Sequence, residues 1–373
     1  MKFLVISHAI HKRVHHDVFS YAPYVKEMNL WFKYVDEVTV VAPFSQSNID
    51  TNIEASYQHN KLTYKALPKI QFTNITHVIT SLFKTPYILI IIFLECLKTD
   101  HIHLRCPGNI GLLGCCIQVL FPRKTKTAKY AGNWDPNSNQ PLSYRIQKKL
   151  LKNTFFSKNM SVLVYGSWKN QTENIVPFFT ASYYSSEIEP LTKRNYKETL
   201  QFIFVGTLSP GKRPLFAIQF IETLNFNNID SKLTIFGEGM EGHSLKTYVK
   251  SKGLENIIEF KGNKSKDIIK SAYKKAHFAI LPSKSEGWPK ALAEAMFFGV
   301  IPIATKISCI PYMLDNGNRG FLIKPELQEA VSKFIKCIVD GKKLQNMSQL
   351  AHNWSKNYTL DYFEKEIGDF IKR

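Results

Sequence analysis

No two cysteines in this chain form a Cys-x-x-Cys pair. None of the six (Cys96, Cys106, Cys115, Cys116, Cys309, Cys337) has a histidine at zinc-finger spacing. The sequence therefore offers no structural zinc site. Cysteines so placed predict reduced, mostly buried thiols in a cytosolic protein. No apolar run reaches the roughly 20 residues that a membrane-spanning helix needs. The strongest, Tyr87 to Leu97, spans about half of that and is bracketed by Lys84 and Lys98. It reads as a core helix of an N-terminal domain, with a shallow dip into a bilayer surface as the alternative. The apolar run at the N-terminus is too short for a signal peptide and reads as a first buried strand. Internal repeats and low-complexity tracts are absent from the sequence. Acidic residues are also scarce: 30 Asp plus Glu stand against 49 Lys plus Arg, a net charge of +19. That balance favours an anionic partner, whether nucleic acid, anionic lipid headgroups or phosphorylated small molecules.

What is present is ordinary globular material. The chain has 373 residues, 44% hydrophobic and 21% charged, which suits two domains of roughly 100–200 residues each. Short β-branched runs at 3–7, 38–42, 102–105, 127–131 and 161–165 read as strands, the last after a basic helical stretch at 142–153. A polar, weakly periodic segment follows at 183–200. The alternation then restarts, with strands at 201–205, 232–236, 257–262, 278–282 and 300–304 and helices at 213–224, 266–275 and 289–298. Alternating strands and helices predict βαβ units and parallel sheets. The expected fold class is therefore α/β, with two doubly wound, Rossmann-like domains facing a cleft. We expect the N-terminal domain at 1–185, a linker at 186–200 and the C-terminal domain at 201–356, with a terminal helix at about 357–373 packing back on the first domain. Ligands of such sheets bind beyond the carboxyl ends of the strands.

One stretch carries specific chemistry. From residue 280 to 296 it reads Ile-Leu-Pro-Ser-Lys-Ser-Glu-Gly-Trp-Pro-Lys-Ala-Leu-Ala-Glu-Ala-Met. A buried strand ends at Pro282 and a polar loop carries Glu286 and Gly287. Pro289 suits the first turn of a helix, where its missing N–H costs nothing. That helix would stop near Gly299. Its amide end attracts phosphate, and Gly287 permits close backbone approach. Glu286 and Glu294 flank this anion site. Carboxylates repel phosphate, so their partners would be hydroxyls. Phosphate at the helix end with sugar hydroxyls beside it describes a sugar nucleotide. The plain alternative is a Glu286 that only caps the helix and a Glu294 that faces solvent. A second anion site falls at 205–214, where Gly206 and Gly211 precede Lys212 and Arg213. A third strand end, Gly237-Glu238-Gly239, leaves room at the same edge of the sheet.

These residues resemble the donor domain of the retaining GT-B glycosyltransferases of family 4, also called glycosyl transferase group 1. The resemblance covers about residues 202–325. The family's Glu-x7-Glu motif falls on Glu286 and Glu294, the strand after its helix on 299–305, and its late glycine turn on 316–323. The resemblance implies that Glu286 contacts hydroxyls of the transferred sugar and Glu294 the ribose. It implies that Gly287, Trp288, Pro289 and Lys290 hold the distal phosphate through their backbone. Lys212 would meet the pyrophosphate, and Lys261, Gly262 and Asn263 would border the base. In this family retention is usually explained by front-face attack, with the leaving diphosphate taking the acceptor's proton. No protein base, metal or cofactor is then expected, and Lys212 and Glu286 become the catalytic candidates.

The sequence departs from the family pattern in two places. Thr207 stands where an arginine usually follows the first glycine, so Arg213 or Lys290 would have to help Lys212. The glycine-rich N-terminal loop is replaced by 7–13, Ser-His-Ala-Ile-His-Lys-Arg. The N-terminal domain would present the acceptor. Its candidates are Asn133, Trp134 and Asp135 after a strand, Arg105, and His8 with His11, His15 and His16. The implied function is transfer of a sugar to a glycan or lipid-linked saccharide acceptor in surface polysaccharide synthesis. The protein would be cytoplasmic and peripheral at the inner face of the plasma membrane, without nucleic acid. Competing readings are a sugar-nucleotide epimerase or soluble disaccharide synthase on the same fold. A basic nucleic-acid binder using Arg145, Lys148, Lys149 and Lys152 is a further reading, although no nucleic-acid motif accompanies that helix.

Overall fold

The computed structural model describes residues 1–51, 53–71 and 74–372. The chain divides into two compact units, one of Met1–Phe178 with Glu364–Arg373 and one of Phe179–Phe363.

The first unit opens with β1 (Lys2–Ile6), a hairpin of β2 (Lys12–Val14) and β3 (Asp17–Tyr21), α1 (Ala22–Phe32) and β4 (Glu37–Pro43). It continues through β5 (Glu54–Ser56), β6 (Leu62–Leu67), α2 (Ile75–Lys98), β7 (His101–Cys106), α3 (Asn109–Ile117) and β8 (Thr125–Tyr130). It ends with α4 (Leu142–Lys152), β9 (Met160–Tyr165) and β10 (Ile175–Phe178). Seven strands form one sheet in the order β10-β9-β8-β7-β1-β4-β6, each neighbouring pair parallel. Strands β2, β3 and β5 make a small antiparallel sheet. Helices cover the sheet on its faces, so central strands such as β7 are buried along their whole length.

The second unit carries β11 (Leu200–Val205), α5 (Pro214–Phe226), β12 (Ser231–Phe236), α6 (Gly242–Ser251), β13 (Ile258–Gly262), α7 (Lys266–Lys275) and β14 (Phe278–Leu281). Then come α8 (Lys290–Phe297), β15 (Ile301–Thr305), α9 (Ile310–Met313), β16 (Phe321–Ile323), α10 (Leu327–Ile338) and α11 (Gly341–Ser355). The last helix, α12 (Leu360–Lys372), begins in this unit and ends in the first. The sheet order is β13-β12-β11-β14-β15-β16, parallel throughout. The two-fold Rossmann-like α/β architecture expected from the strand–helix alternation is what the chain adopts.

Two expectations change. The polar segment at 186–200 is no free linker: the chain clusters it with the second unit. Arg194 fixes it there, donating to the carbonyls of Ala276 (2.7 Å), Gly299 (3.1 Å) and Phe298 (2.6 Å). Charge in that segment serves to cap orphan carbonyls, which composition alone does not reveal. The apolar run at 87–97 is part of a helix of 24 residues, twice the expected length. Only one of its faces is buried, through Ile88, Ile92 and Cys96.

Candidate functional site

In the second unit the carboxyl ends of the central strands meet as one continuous edge. Strands β11 and β12 end in Gly206 and Gly237. Gly237 has φ +133°, and a Cβ there would lie 2.0 Å from the Gly206 carbonyl oxygen. Only glycine permits that approach. The Gly237 N–H donates to the Gly262 carbonyl (2.9 Å) and the Leu208 N–H to that of Glu238 (3.0 Å). The Asn263 amide reaches the Glu238 carboxylate at 3.5 Å, and Gly262, at φ +65°, leaves room for it. The chain thus gathers Gly206, Gly237, Glu238, Gly262 and Asn263, while Thr207 is exposed beside them.

The loops after β11 and β14 are tied to one another. The Lys284 N–H donates to the Gly211 carbonyl at 2.8 Å. The Lys212 ammonium sits 2.5 Å from the Glu286 carboxylate, which is buried on its other side. Arg213 donates to the Pro282 carbonyl at 3.3 Å, so its charge is turned to the end of β14. Below this pair the loop is fixed by residues that the sequence reading missed. Ser308 accepts from the Glu286 N–H (3.3 Å), Thr305 donates to the Ser283 carbonyl (2.5 Å) and Cys309 to that of Gly287 (2.9 Å). Nothing in their spacing signals this; they become neighbours only because β15 lies beside β14.

Helix α8 starts at Lys290, with Pro289 at the N-cap rather than inside the first turn, and no side chain caps it. Its first amide groups are therefore left for an anion. Two motif members turn elsewhere. The Trp288 ring is packed against Trp354 (centroids 5.9 Å apart) and Tyr358 (5.4 Å), so only its backbone is available at the loop. Glu294 is directed to the Ser182 hydroxyl, which donates to it at 2.6 Å, with Tyr273 at 3.5 Å. Burial pushes the Glu294 carboxyl above its usual range. The carboxylate is thus engaged by a hydroxyl, the kind of partner expected for it, but by one from its own chain.

In the first unit the candidates do not form one cluster, although His8 lies against the backbone of Arg105. Arg105 is buried against Glu27 at 2.5 Å, and Lys129 adds a second cation to that carboxylate at 3.2 Å. This corrects Arg105 from cleft residue to buried ion pair: its guanidinium is already engaged by Glu27. Trp134 is also corrected. It is buried edge-on against Tyr130, bonded to Gln171 (3.1 Å) and covered by the Lys148 ammonium, which leaves no face for a sugar. Asn133 and Asp135 close a turn on their own backbone, accepting from the N–H of Asp135 and of Asn137 at 2.9 Å each. His11 is buried on Tyr57 (2.7 Å), while His15 and His16 lie exposed in the hairpin turn. His8 differs from these. It lines a cavity of about 230 Å³ with Pro43, Lys69, Gly108, Asn109 and Tyr144, at the carboxyl ends of β1, β4, β6 and β7. A Cβ on Gly108 would come within 2.5 Å of the His8 ring.

This site geometry can be set beside known proteins. Residues 187–357 match the family Glycosyl transferases group 1. The group 1 match contains the Lys212 loop, the Glu286 loop and the whole second sheet. A putative colanic acid biosynthesis glycosyltransferase, WcaL of Salmonella typhimurium, is 27% identical over 177 residues, 46% of this chain and 41% of that protein. An Escherichia coli UDP-Gal:alpha-D-GlcNAc-diphosphoundecaprenol alpha-1,3-galactosyltransferase is 32% identical over 167 residues, 43% of this chain and 41% of that one. The chain thus spans under half the length of these relatives. Solved structures extend the likeness to all of the fold. The lipopolysaccharide outer core galactosyltransferase WaaB superposes with TM-score 0.69 at 15% identity, covering 100% of this chain and 99% of that one. Anabaena HepE in complex with UDP and glucose gives 0.67 at 15% identity with the same coverage. Both units, with the group 1 region in the second, therefore share the GT-B fold of these glycosyltransferases.

Proposed function

We propose that the protein is a retaining glycosyltransferase. It moves a sugar from a nucleotide-diphosphate sugar to a glycan or lipid-linked saccharide in the synthesis of a surface polysaccharide or glycolipid. The observation that carries this reading is the Lys212–Glu286 pair, 2.5 Å apart on two loops tied across neighbouring strand ends. An ammonium beside an uncapped helix end is suited to a diphosphate. The carboxylate partner is suited to sugar hydroxyls. The matched group 1 region and the relatives' names support the same class of reaction.

In the step we propose, the bond from the sugar's anomeric carbon to the diphosphate oxygen breaks. The acceptor oxygen bonds to that carbon on the same face, and its proton passes to the departing diphosphate. Lys212 and the amide end of α8 stabilise the charge that develops there, and Glu286 positions the sugar. Arg213, held on the Pro282 carbonyl, contributes by keeping the Lys212 loop in place. Glu238, Gly262 and Asn263 border the base, and Glu294 exchanges Ser182 for a ribose hydroxyl. No metal or cofactor takes part in this scheme. The acceptor sits in the first unit's cavity, at His8. The protein works as a peripheral protein on the inner face of an anionic plasma membrane.

A panel of UDP-, GDP- and ADP-sugars scored by thermal stabilisation tests the reading. A ligand at 100 times its Kd adds about 2.7 kcal/mol. One nucleotide class should shift the melting temperature of the wild type, and Lys212→Ala should abolish the shift. Equal shifts in both proteins would contradict the site, as would sugar interconversion without any acceptor.

A further inference from the structure

Helix α2 is apolar on both of its sides, although only one is packed against the described residues of the fold. Ile88, Ile92 and Cys96 face inward and are 0% exposed, packed with Ile6, Ile102 and Leu104 of the sheet. Ile79, Leu82, Phe83, Ile90, Leu94 and Leu97 fall on the opposite side, within an arc of roughly 120° at 3.6 residues per turn. They stand open: Phe83 is 82% exposed and Ile90 58%. A surface helix of a soluble domain carries charge on that side. Contiguous exposed apolar side chains of this extent mark an interaction surface.

The charges around the stripe say what covers it. No carboxylate stands on the exposed arc. The helix's sole acid, Glu95, is nearly buried beneath Lys98 at 2.9 Å. Cations stand beside the stripe and at its carboxyl end. At the carboxyl end stand Lys98 and Lys124, which reaches the carbonyl of Leu97 (3.1 Å); Lys84, next to Phe83 in the middle of the helix, reaches the carbonyl of Lys69 (3.4 Å). Exposed Arg123 is the next residue to Lys124. Apolar side chains framed by lysines match a bilayer with anionic headgroups. By length and composition the helix could span a membrane. Its inward face excludes that: spanning would strip Ile88, Ile92 and Cys96 from the core.

We propose that α2 is a bilayer-docking surface. The helix lies flat, its outer stripe in the acyl boundary and its flanking lysines, Lys84, Lys98 and Lys124, on anionic headgroups. This deepens the peripheral placement proposed above and rests on it, but uses no step of sugar transfer. The test is sedimentation of the full chain with vesicles of phosphatidylcholine alone or with about 30% phosphatidylglycerol, the anionic fraction supplying the surface charge. We expect binding to the anionic vesicles, weakened by raised salt. Phe83→Asp with Ile90→Asp should lower it at least tenfold, and Lys84→Glu with Lys98→Glu should remove the preference for anionic lipid. Phe83 and Ile90 are exposed, so the melting temperature of the aspartate variant should hold; Lys98→Glu faces Glu95, so the glutamate variant is compared at equal folded fraction. If Phe83→Asp with Ile90→Asp nonetheless unfolds the chain, Leu94→Asp alone reads the same loss. Docking is overturned if the wild type stays in the supernatant, or if the aspartate variants sediment like it. It is also overturned if these variants only split a dimer, which would make a second copy the occupant. A nucleotide-sugar thermal shift without vesicle binding defeats docking alone; vesicle binding without any such shift defeats the donor site alone.

Discussion

The two units share one topology and spend their charges in opposite ways. At the sheet edge of the second, Lys212 and Glu286 meet on loops that extend beyond the strands, beside a helix end with no cap. In the first, Arg105, Lys129 and Glu27 are paired inside the domain, and Asn133 and Asp135 are consumed by their own turn. A parallel sheet supplies an edge where ligands can bind. Whether that edge can do chemistry depends on which polar groups stay at the edge within reach of a ligand: Lys212 is 31% exposed and Arg105 9%.

Substitutions can break this contrast. Lys212→Ala should cost transfer roughly 2.7–4 kcal/mol in barrier, the scale of one lost charge-stabilising donor, with a smaller loss of stability because the buried Glu286 carboxylate loses its cation; a kinetic assay beside calorimetry reads both. Arg105→Ala should do the reverse. It removes one partner of a buried ion pair, which costs roughly 3 kcal/mol of stability, the low end because Lys129 remains 3.2 Å from Glu27. Denaturant titration measures that loss; a fall in activity at unchanged stability would defeat the structural role. Gly237→Ala should lie between them. Its Cβ would press on the Gly206 carbonyl at 2.0 Å, so we expect a cost of about 1–3 kcal/mol in stability together with weaker donor binding.

A smaller effect follows from the first unit's core. His101 and His103 share the Thr127 hydroxyl at 2.8 Å each. Burial lowers His101 from 6.5 to about 4 and His103 well below its usual value. The folded state holds both neutral. Above pH 6.5 neither folded nor unfolded chain protonates them, so their effect on stability is constant. As pH falls from 6.5 towards 4, only the unfolded chain gains protons, and stability should drop by up to about 1.4 kcal/mol per histidine per pH unit. Denaturation midpoints across that window check this; His101→Gln should flatten the slope.

The second unit was more legible than the first. Helix α7 falls on the predicted residues, and α5 and α8 within two residues at either end. Runs of β-branched residues closed by glycine or proline mark their strands clearly. In the first unit, β6 was missed because its residues, Leu-Thr-Tyr-Lys-Ala-Leu, form no continuous β-branched apolar run. Helix α3 was missed because Gly111 and Gly114 argue against a helix by propensity. They are needed there: a Cβ would meet the Arg105 carbonyl at 2.8 Å and Leu104 at 2.9 Å, so the helix can approach β7 only without side chains. Lys212 and Glu286 were readable because each stands in a loop that follows a strand end and carries a glycine beside it. Ser182, Ser308 and the cavity residues Lys69 and Tyr144 were not, since they join their sites through the fold alone. Trp134 was misplaced for a related reason: an aromatic after a strand end looks the same whether it faces ligand or core.

The central claim is that the Lys212 loop grips a nucleoside diphosphate. Calorimetric titration of UDP, GDP and ADP into the wild type and Lys212→Ala tests it most directly. One nucleotide should bind the wild type and lose at least tenfold in affinity in the variant, at equal folded fraction. The same dissociation constant in both proteins would contradict the account.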